Sequence, residues 1–247
     1  MENALLIGLS RQMALAREAD VIANNVANVN TNGFKARSQR FEEYLMPVAK
    51  ADSFPGAGQR LSYVLDGGVG LDVTQGAIER TGNPLDLAIQ GDAFFTVQTP
   101  AGERYTRDGA FTLNSAGELV NASGFKVVGD GGVITFSPQD GDIEIGADGV
   151  INTKQGPRGQ IKLVSFDNSR LLTSEGDNLF SSTAPSRPVG KDVKVSAGSV
   201  ERSNVKPILA MSRLMEVTRA YQNITNMIQR TDELRGSAIQ KLADMPS

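Results

Sequence analysis

The sequence predicts an α+β protein, in which an antiparallel, all-β central domain is carried on paired N- and C-terminal helices that form a coiled-coil stalk. Three observations carry that expectation. Apolar residues recur every three or four positions at both ends of the chain, the period changes to two between about Gln75 and Ser199, and glycine and proline crowd the stretch between the helical ends.

The first helix is expected from Glu2 to about Asn30, where no proline occurs and Gly8 is the lone glycine. Leu6, Leu9, Met13 and Ala16 fall on one line, and Leu15, Ala19, Ile22, Val26 and Val29 on a neighbouring one. Its end is unusual, because Ala23-Asn-Asn-Val-Ala-Asn-Val-Asn-Thr-Asn-Gly-Phe-Lys35 concentrates asparagine, a poor helix former, inside a helical pattern. Asn25 and Asn28 border the apolar line, where a polar side chain costs stability and fixes register, with Asn223 and Asn226 as candidate counterparts. Gly33 suits a left-handed residue past the helix, with Phe34 closing back on Val29. A plain polar helix end entering a loop explains Asn30 to Gly33 but not Asn24, Asn25 and Asn28.

Residues 36–74 hold Pro47, Pro55, Gly56, Gly58 and Gly67-Gly68, and predict an extended or irregular linker. Strands follow around Ala110–Leu113, Glu118–Val120, Phe125–Val128, Val133–Phe136, Ile143–Ile145, Val150–Asn152 and Ile161–Phe166, separated by Asn- and Gly-rich turns. The C-terminal helix opens at Pro207, a favourable first helical position, and carries Leu214, Val217, Tyr221, Ile224 and Ile228 at steps of 3, 4, 3 and 4. The expected organisation is therefore 1–35 helical, 36–74 linker, 75–200 β-rich and 201–247 helical. Helices of roughly 40 and 50 Å with one narrow apolar stripe are unstable alone. They pack either as core helices of a globular domain or, as the narrow stripe favours, with each other and with neighbouring subunits.

Composition excludes several chemistries. The chain has no Cys, hence no disulfide, thiol catalysis or Cys-ligated metal, and no His, hence no His-based triad or HExxH site. A net charge of −3 and a pI of about 5.2 argue against nucleic acid as a partner. No run of eighteen apolar residues occurs, and the N-terminus lacks the basic segment and unbroken apolar core of a secretory signal. The Asp-Gly pairs at 130–131, 140–141 and 148–149 match hairpin turns better than any calcium loop. Gly67-Gly-Val-Gly70 lacks the Lys-Ser/Thr of a phosphate loop. Carboxylate pairs such as Asp140 and Asp142 could serve a carbohydrate-active enzyme, yet sugar-stacking aromatics are few, with no Trp and 4 Tyr. No catalytic, cofactor-binding or metal-binding residue is assigned, and no small-molecule substrate is expected.

The asparagine stretch resembles the N-terminal motif of bacterial flagellar rod and hook proteins. Thr81-Gly-Asn-Pro-Leu-Asp-Leu-Ala-Ile-Gln-Gly-Asp-Ala-Phe-Phe95 is similar to that family's entry into its β domain, with Ala93 where a glycine is usual. Tyr105-Thr-Arg-Asp-Gly-Ala-Phe111, Gly117-Glu-Leu-Val120, Glu201-Arg-Ser-Asn-Val-Lys-Pro207 and Val217-Thr-Arg-Ala-Tyr221 follow in family order over nearly the whole chain. Ser203-Asn-Val-Lys-Pro207 and the modest length resemble the proximal-rod members most. The resemblance implies a structural subunit of the basal-body rod, part of the motor drive shaft. It implies export by the flagellar type III apparatus without a cleaved signal, and assembly in the periplasm with itself and with proximal and distal rod proteins. A distal-rod or hook-type subunit is the alternative within the family, and an exported carbohydrate-active β protein the alternative outside it. The expected assembly interface is Leu6, Leu9, Met13, Ile22, Asn25, Val26, Asn28 and Val29 on one helix, with Leu214, Val217, Tyr221, Ile224 and Ile228 on the other.

Overall fold

The computed structural model describes residues 2–45, 62–168, 171–190 and 192–243. It has an α-helix at each end and a sheet-rich region between, the α+β class. The chain divides into two compact units: Met1–Val26 with Arg37–Gly70 and Pro207–Ser247, and Ala27–Ala36 with Leu71–Lys206.

In the first unit, helix α1 spans Glu2–Ala27 and helix α2 spans Pro207–Ala243. Proline begins α2 because its fixed φ suits the first turn and its missing N–H would have no helical acceptor there. Within 36–74, expected as a linker, the strands Arg37–Leu45 and Ser62–Leu71 pair as a two-stranded sheet. Pro47, Pro55, Gly56 and Gly58 lie outside the described residues.

The second unit is built on a ten-stranded sheet. Its main path runs Leu172–Gly176, Leu179–Ser182, Gly102–Thr106, Phe94–Thr99, Lys126–Gly129, Leu119–Val120 and Thr112–Leu113. Leu163–Ser165, Arg187–Pro188 and Gly132–Val133 join from the side. Ile143–Ile145, Val150–Thr153 and Gly156–Gln160 form a three-stranded antiparallel sheet. Lys194–Ala197 pairs with Leu87–Gln90, and Ser199–Glu201 with Ile78–Arg80, both antiparallel. The strand expected over Val133–Phe136 is regular at Gly132–Val133; beyond it Thr135 bridges Glu118, and Ile134 and Phe136 keep backbone hydrogen bonds while their side chains enter the core.

Two turns explain why asparagine recurs in this unit. Asn114 Oδ1 accepts the N–H groups of Ala116 and Glu118 at 2.9 Å each. Seven residues on, Asn121 Oδ1 accepts those of Ser123 at 3.2 Å and Phe125 at 2.8 Å. Each side chain replaces a backbone acceptor and sets the reversal before the next strand. Beneath them Leu87, Ile89, Phe95, Val97, Phe111, Leu119, Val127 and Ile151 form a fully buried core, with Phe95 and Phe111 edge to face at 5.1 Å. Each such side chain contributes about 1.5–3 kcal/mol of burial.

Candidate assembly site

In the helical unit, α1 and α2 run antiparallel: low numbers of one meet high numbers of the other. A Cβ placed on Gly8 would lie 3.5 Å from Ile228, Gln12 Nε2 donates to Thr225 Oγ1 at 2.9 Å, and Glu18 pairs with Arg213 at 2.7 Å. A methyl group at Gly8 would thus rest in ordinary contact with Ile228, which places the two helices side by side there. The line Gly8, Gln12, Leu15, Ala19, Ile22 and Val26 is buried or half-buried, and so is the α2 line of Ala210, Leu214, Val217, Ile224 and Ile228. Tyr221, on the same α2 line, stays more open, at 36%.

Other apolar lines remain open. Leu6, Leu9 and Met13 are 52%, 49% and 52% exposed, a strip about 120° around α1 from its covered face. On α2, Ile208, Met211 and Met215 share one line by their spacing, and Leu209, Met227 and Leu234 another, all six exposed. Side chains of this size on two neighbouring helices form the kind of apolar surface that marks an interaction site.

Asn25 has a different partner from the one expected. It is buried, its Nδ2 donates to the Arg37 carbonyl at 2.7 Å, and its Oδ1 accepts the Arg37 N–H at 2.9 Å. The amide imitates a strand neighbour and starts the strand Arg37–Leu45; both of its polar ends are used, so Asn223 and Asn226 are not its counterparts. Asn28, half-buried, accepts from Thr31 Oγ1 at 3.1 Å, and Val29 is half-buried.

The second unit takes up the rest of the asparagine stretch. The helix stops at Ala27, three residues earlier than expected, and Asn28–Gly33 turns. Gly33 has φ +65°, the left-handed conformation expected, but its N–H goes to the Glu201 carbonyl at 2.7 Å rather than to the helix. A side chain there would also strike the Arg107 backbone at 2.3 Å. The expected helix-closing motif is thus replaced by docking on the β unit.

The next residue but one anchors a buried ionic knot. Lys35 Nζ donates to Glu201 Oε1 at 2.6 Å and to the Thr74 carbonyl at 2.7 Å. Arg107 Nη1 meets the other oxygen of Glu201 at 3.2 Å, Arg107 Nη2 donates to the Gly91 carbonyl at 2.7 Å, and the guanidinium stacks 5.0 Å over Phe94. The Gly76 N–H completes the carboxylate at 2.8 Å. All three charged side chains are shut off from solvent. Burial pushes both the Lys35 ammonium and the Arg107 guanidinium down, with the Glu201 charge opposing it. Around this knot Asn204 accepts from the Ala36 N–H at 2.7 Å and donates to the Asp72 carbonyl at 2.8 Å. Asn178 donates to the Asn32 carbonyl at 2.6 Å. Three segments far apart in sequence, 32–36, 105–111 and 201–205, therefore meet in one place. Lys35, Arg107, Glu201 and Asn178 carry this junction and escaped the sequence reading, which placed the first three inside motifs without giving them partners. The available signal was a charged residue in each of three motifs, two cations and one anion.

Asp140 and Asp142 are both occupied structurally. Asp140 binds the Arg158 guanidinium and accepts the Ser137 N–H at 2.6 Å, while Asp142 pairs with Lys154 at 2.7 Å.

Long helices with uncovered apolar lines, joined to a β unit that knots its own termini, define a structural protein. Family models agree along the chain: residues 5–35 match "Flagella basal body rod protein", 88–153 "Flagellar hook protein FlgE/F/G D1 domain", and 196–241 "Flagellar basal body rod FlgEFG protein C-terminal". The chain is 41% identical to the flagellar basal-body rod protein FlgF of Caulobacter vibrioides, with 98% of each chain covered. It is 39% identical to FlgF of Mesorhizobium japonicum over 98% of each chain, and 31% identical to the rod protein FlgG of Bacillus subtilis over 95% of this chain and 97% of that one. The chain belongs to the flagellar basal-body rod family and within it is most like FlgF. It is a structural subunit of the basal body, assembled with other basal-body subunits, and not an enzyme.

Proposed function

We propose that this subunit sits in the proximal rod and assembles through α1 and α2, which pair as an antiparallel coiled coil and lay their open apolar lines on neighbouring subunits. The observation that carries the reading is the strip Leu6, Leu9 and Met13, uncovered although the inner face of α1 already meets α2. Burying a few hundred Å2 of such surface per contact gives several kcal/mol at about 25 cal/mol per Å2, before ordering costs. The same contact repeated around an axis without closing generates a helical tube of copies and related rod subunits. The expected interface, so far as it lies on the helices (Leu6 to Val26 on α1 and Leu214 to Ile228 on α2), then divides in two. The buried line joins the helices to each other, and the open strips join subunits. Helices that gain cover on assembly suit a chain passed unfolded through the flagellar type III apparatus into the periplasm.

The test is complementation of a deletion strain with Leu9→Glu, followed by electron microscopy of purified basal bodies. Purified Leu9→Glu retains native circular dichroism, since Leu9 is not packed inside, and rods are missing or truncated near the inner membrane. Normal rods with Leu9→Glu would overturn the proposal.

A further inference from the structure

The chain has no Cys, His or Trp, which leaves the methionine thioether as its side chain most open to two-electron oxidation. None of its 7 methionines falls within Ala27–Ala36 or Leu71–Lys206, so the β unit contains none, although methionine is a common core filler. Four lie on described helix, Met13 on α1 and Met211, Met215 and Met227 on α2, and each is 52–54% exposed. They occupy the open apolar lines beside Leu6, Leu9, Ile208 and Leu209. Met227 also reaches within the helical unit, its Cε 3.9 Å from where a Gly8 side chain would start.

We propose that these four methionines are modification sites through which peroxide-class oxidants control incorporation of the subunit. The inference rests on the assembly reading given above. In the reaction, a lone pair on sulfur attacks one oxygen of the peroxide, an S–O bond forms and the O–O bond breaks. The sulfur loses two electrons, the peroxide gains them, and water leaves. The sulfoxide is a strong, chiral hydrogen-bond acceptor where a flexible apolar group stood. Burying it in an apolar helix contact without a donor is unfavourable, so an oxidised subunit is excluded from the rod. Once incorporated, the same side chains are covered and protected. Because the β unit holds no methionine, oxidation leaves that unit unchanged and falls on the unit that carries the assembly helices.

The experiment uses cells in which the full chain, or its fourfold Met13→Leu, Met211→Leu, Met215→Leu and Met227→Leu variant, is the sole copy. Synthesis is induced under a pulse of hydrogen peroxide, and sulfoxide at each position is measured by peptide mass spectrometry in soluble and rod fractions. Sulfoxide at the four positions should be enriched at least about tenfold in the soluble fraction over the rods. The leucine variant should build rods at a peroxide level that stops the unaltered chain. Equal sulfoxide content in the two fractions would overturn the proposal, and so would a leucine variant no more resistant than the unaltered chain. The fractionation arm needs no variant and stands if the leucine chain fails to fold. Failure of the assembly reading itself shows separately, as normal rods from Leu9→Glu without peroxide.

Discussion

Glu201 is the residue at which distant segments of the second unit meet. One carboxylate holds Lys35, Arg107 and the Gly76 N–H, and the Glu201 carbonyl holds Gly33. A buried pair of this kind gains little over an apolar substitute, but removal of one partner leaves uncompensated charge in a dry site. Glu201→Gln is expected to destabilise the β unit by about 3–5 kcal/mol in urea unfolding, because Lys35 and Arg107 stay buried without their counter-charge. Asp140 makes a second residue-scale prediction. Its hydrogen bonds from Arg158 and then from Ser137 hold its carboxyl below the ordinary aspartate range. A depressed carboxylate stabilises the fold above its unfolded pKa and loses that contribution as pH falls through its folded one. Stability should therefore fall below about pH 4, and Asp140→Asn should flatten that part of the curve, read from thermal melts across pH.

At the scale of elements, the asparagine stretch proves to be a clasp. Asparagine collects here because the helix ends at Ala27, after which the side chains of Asn28 and Asn32 serve the turn and its docking. Asn25, still helical, templates the strand that follows. The two helices illustrate how one sequence period can hold two faces, since steps of 3 and 4 generate both the line that meets α2 and the strip that stays open. Ile224 lies on the half-buried α2 line. Ile224→Asp is expected to block incorporation while the thermal transition of the β unit stays where it was, checked by basal-body electron microscopy and calorimetry. Loss of that transition would show that the helix face and the β unit are not independent.

For the whole molecule, the division into two units has a thermodynamic consequence. Lys35, Arg107 and Glu201 all lie within Ala27–Ala36 and Leu71–Lys206, so the knot needs neither α1 nor α2. A fragment of residues 27–206 is expected to unfold cooperatively with the knot intact, and the full chain to show a separate, lower helical transition, both measured by calorimetry and circular dichroism. Protease should remove the helical ends first and leave a resistant β body.

The sequence by itself determined the elements whose causes are local. Pro207 set the start of α2, the 3-and-4 spacing set two helices, and Asn with a following Gly set the turns at 114–117 and 121–124. It also carried the family, because whole motifs stood in order. Only the tertiary structure decided where those motifs go. Lys35, Arg107 and Glu201 are separated by tens of residues, and a buried charge reveals its partner only when the chain is folded. Nor does periodicity tell a covered face from an open one: Leu9 and Leu15 are equally apolar, and the close approach of Ile228 at Gly8 chose between their lines.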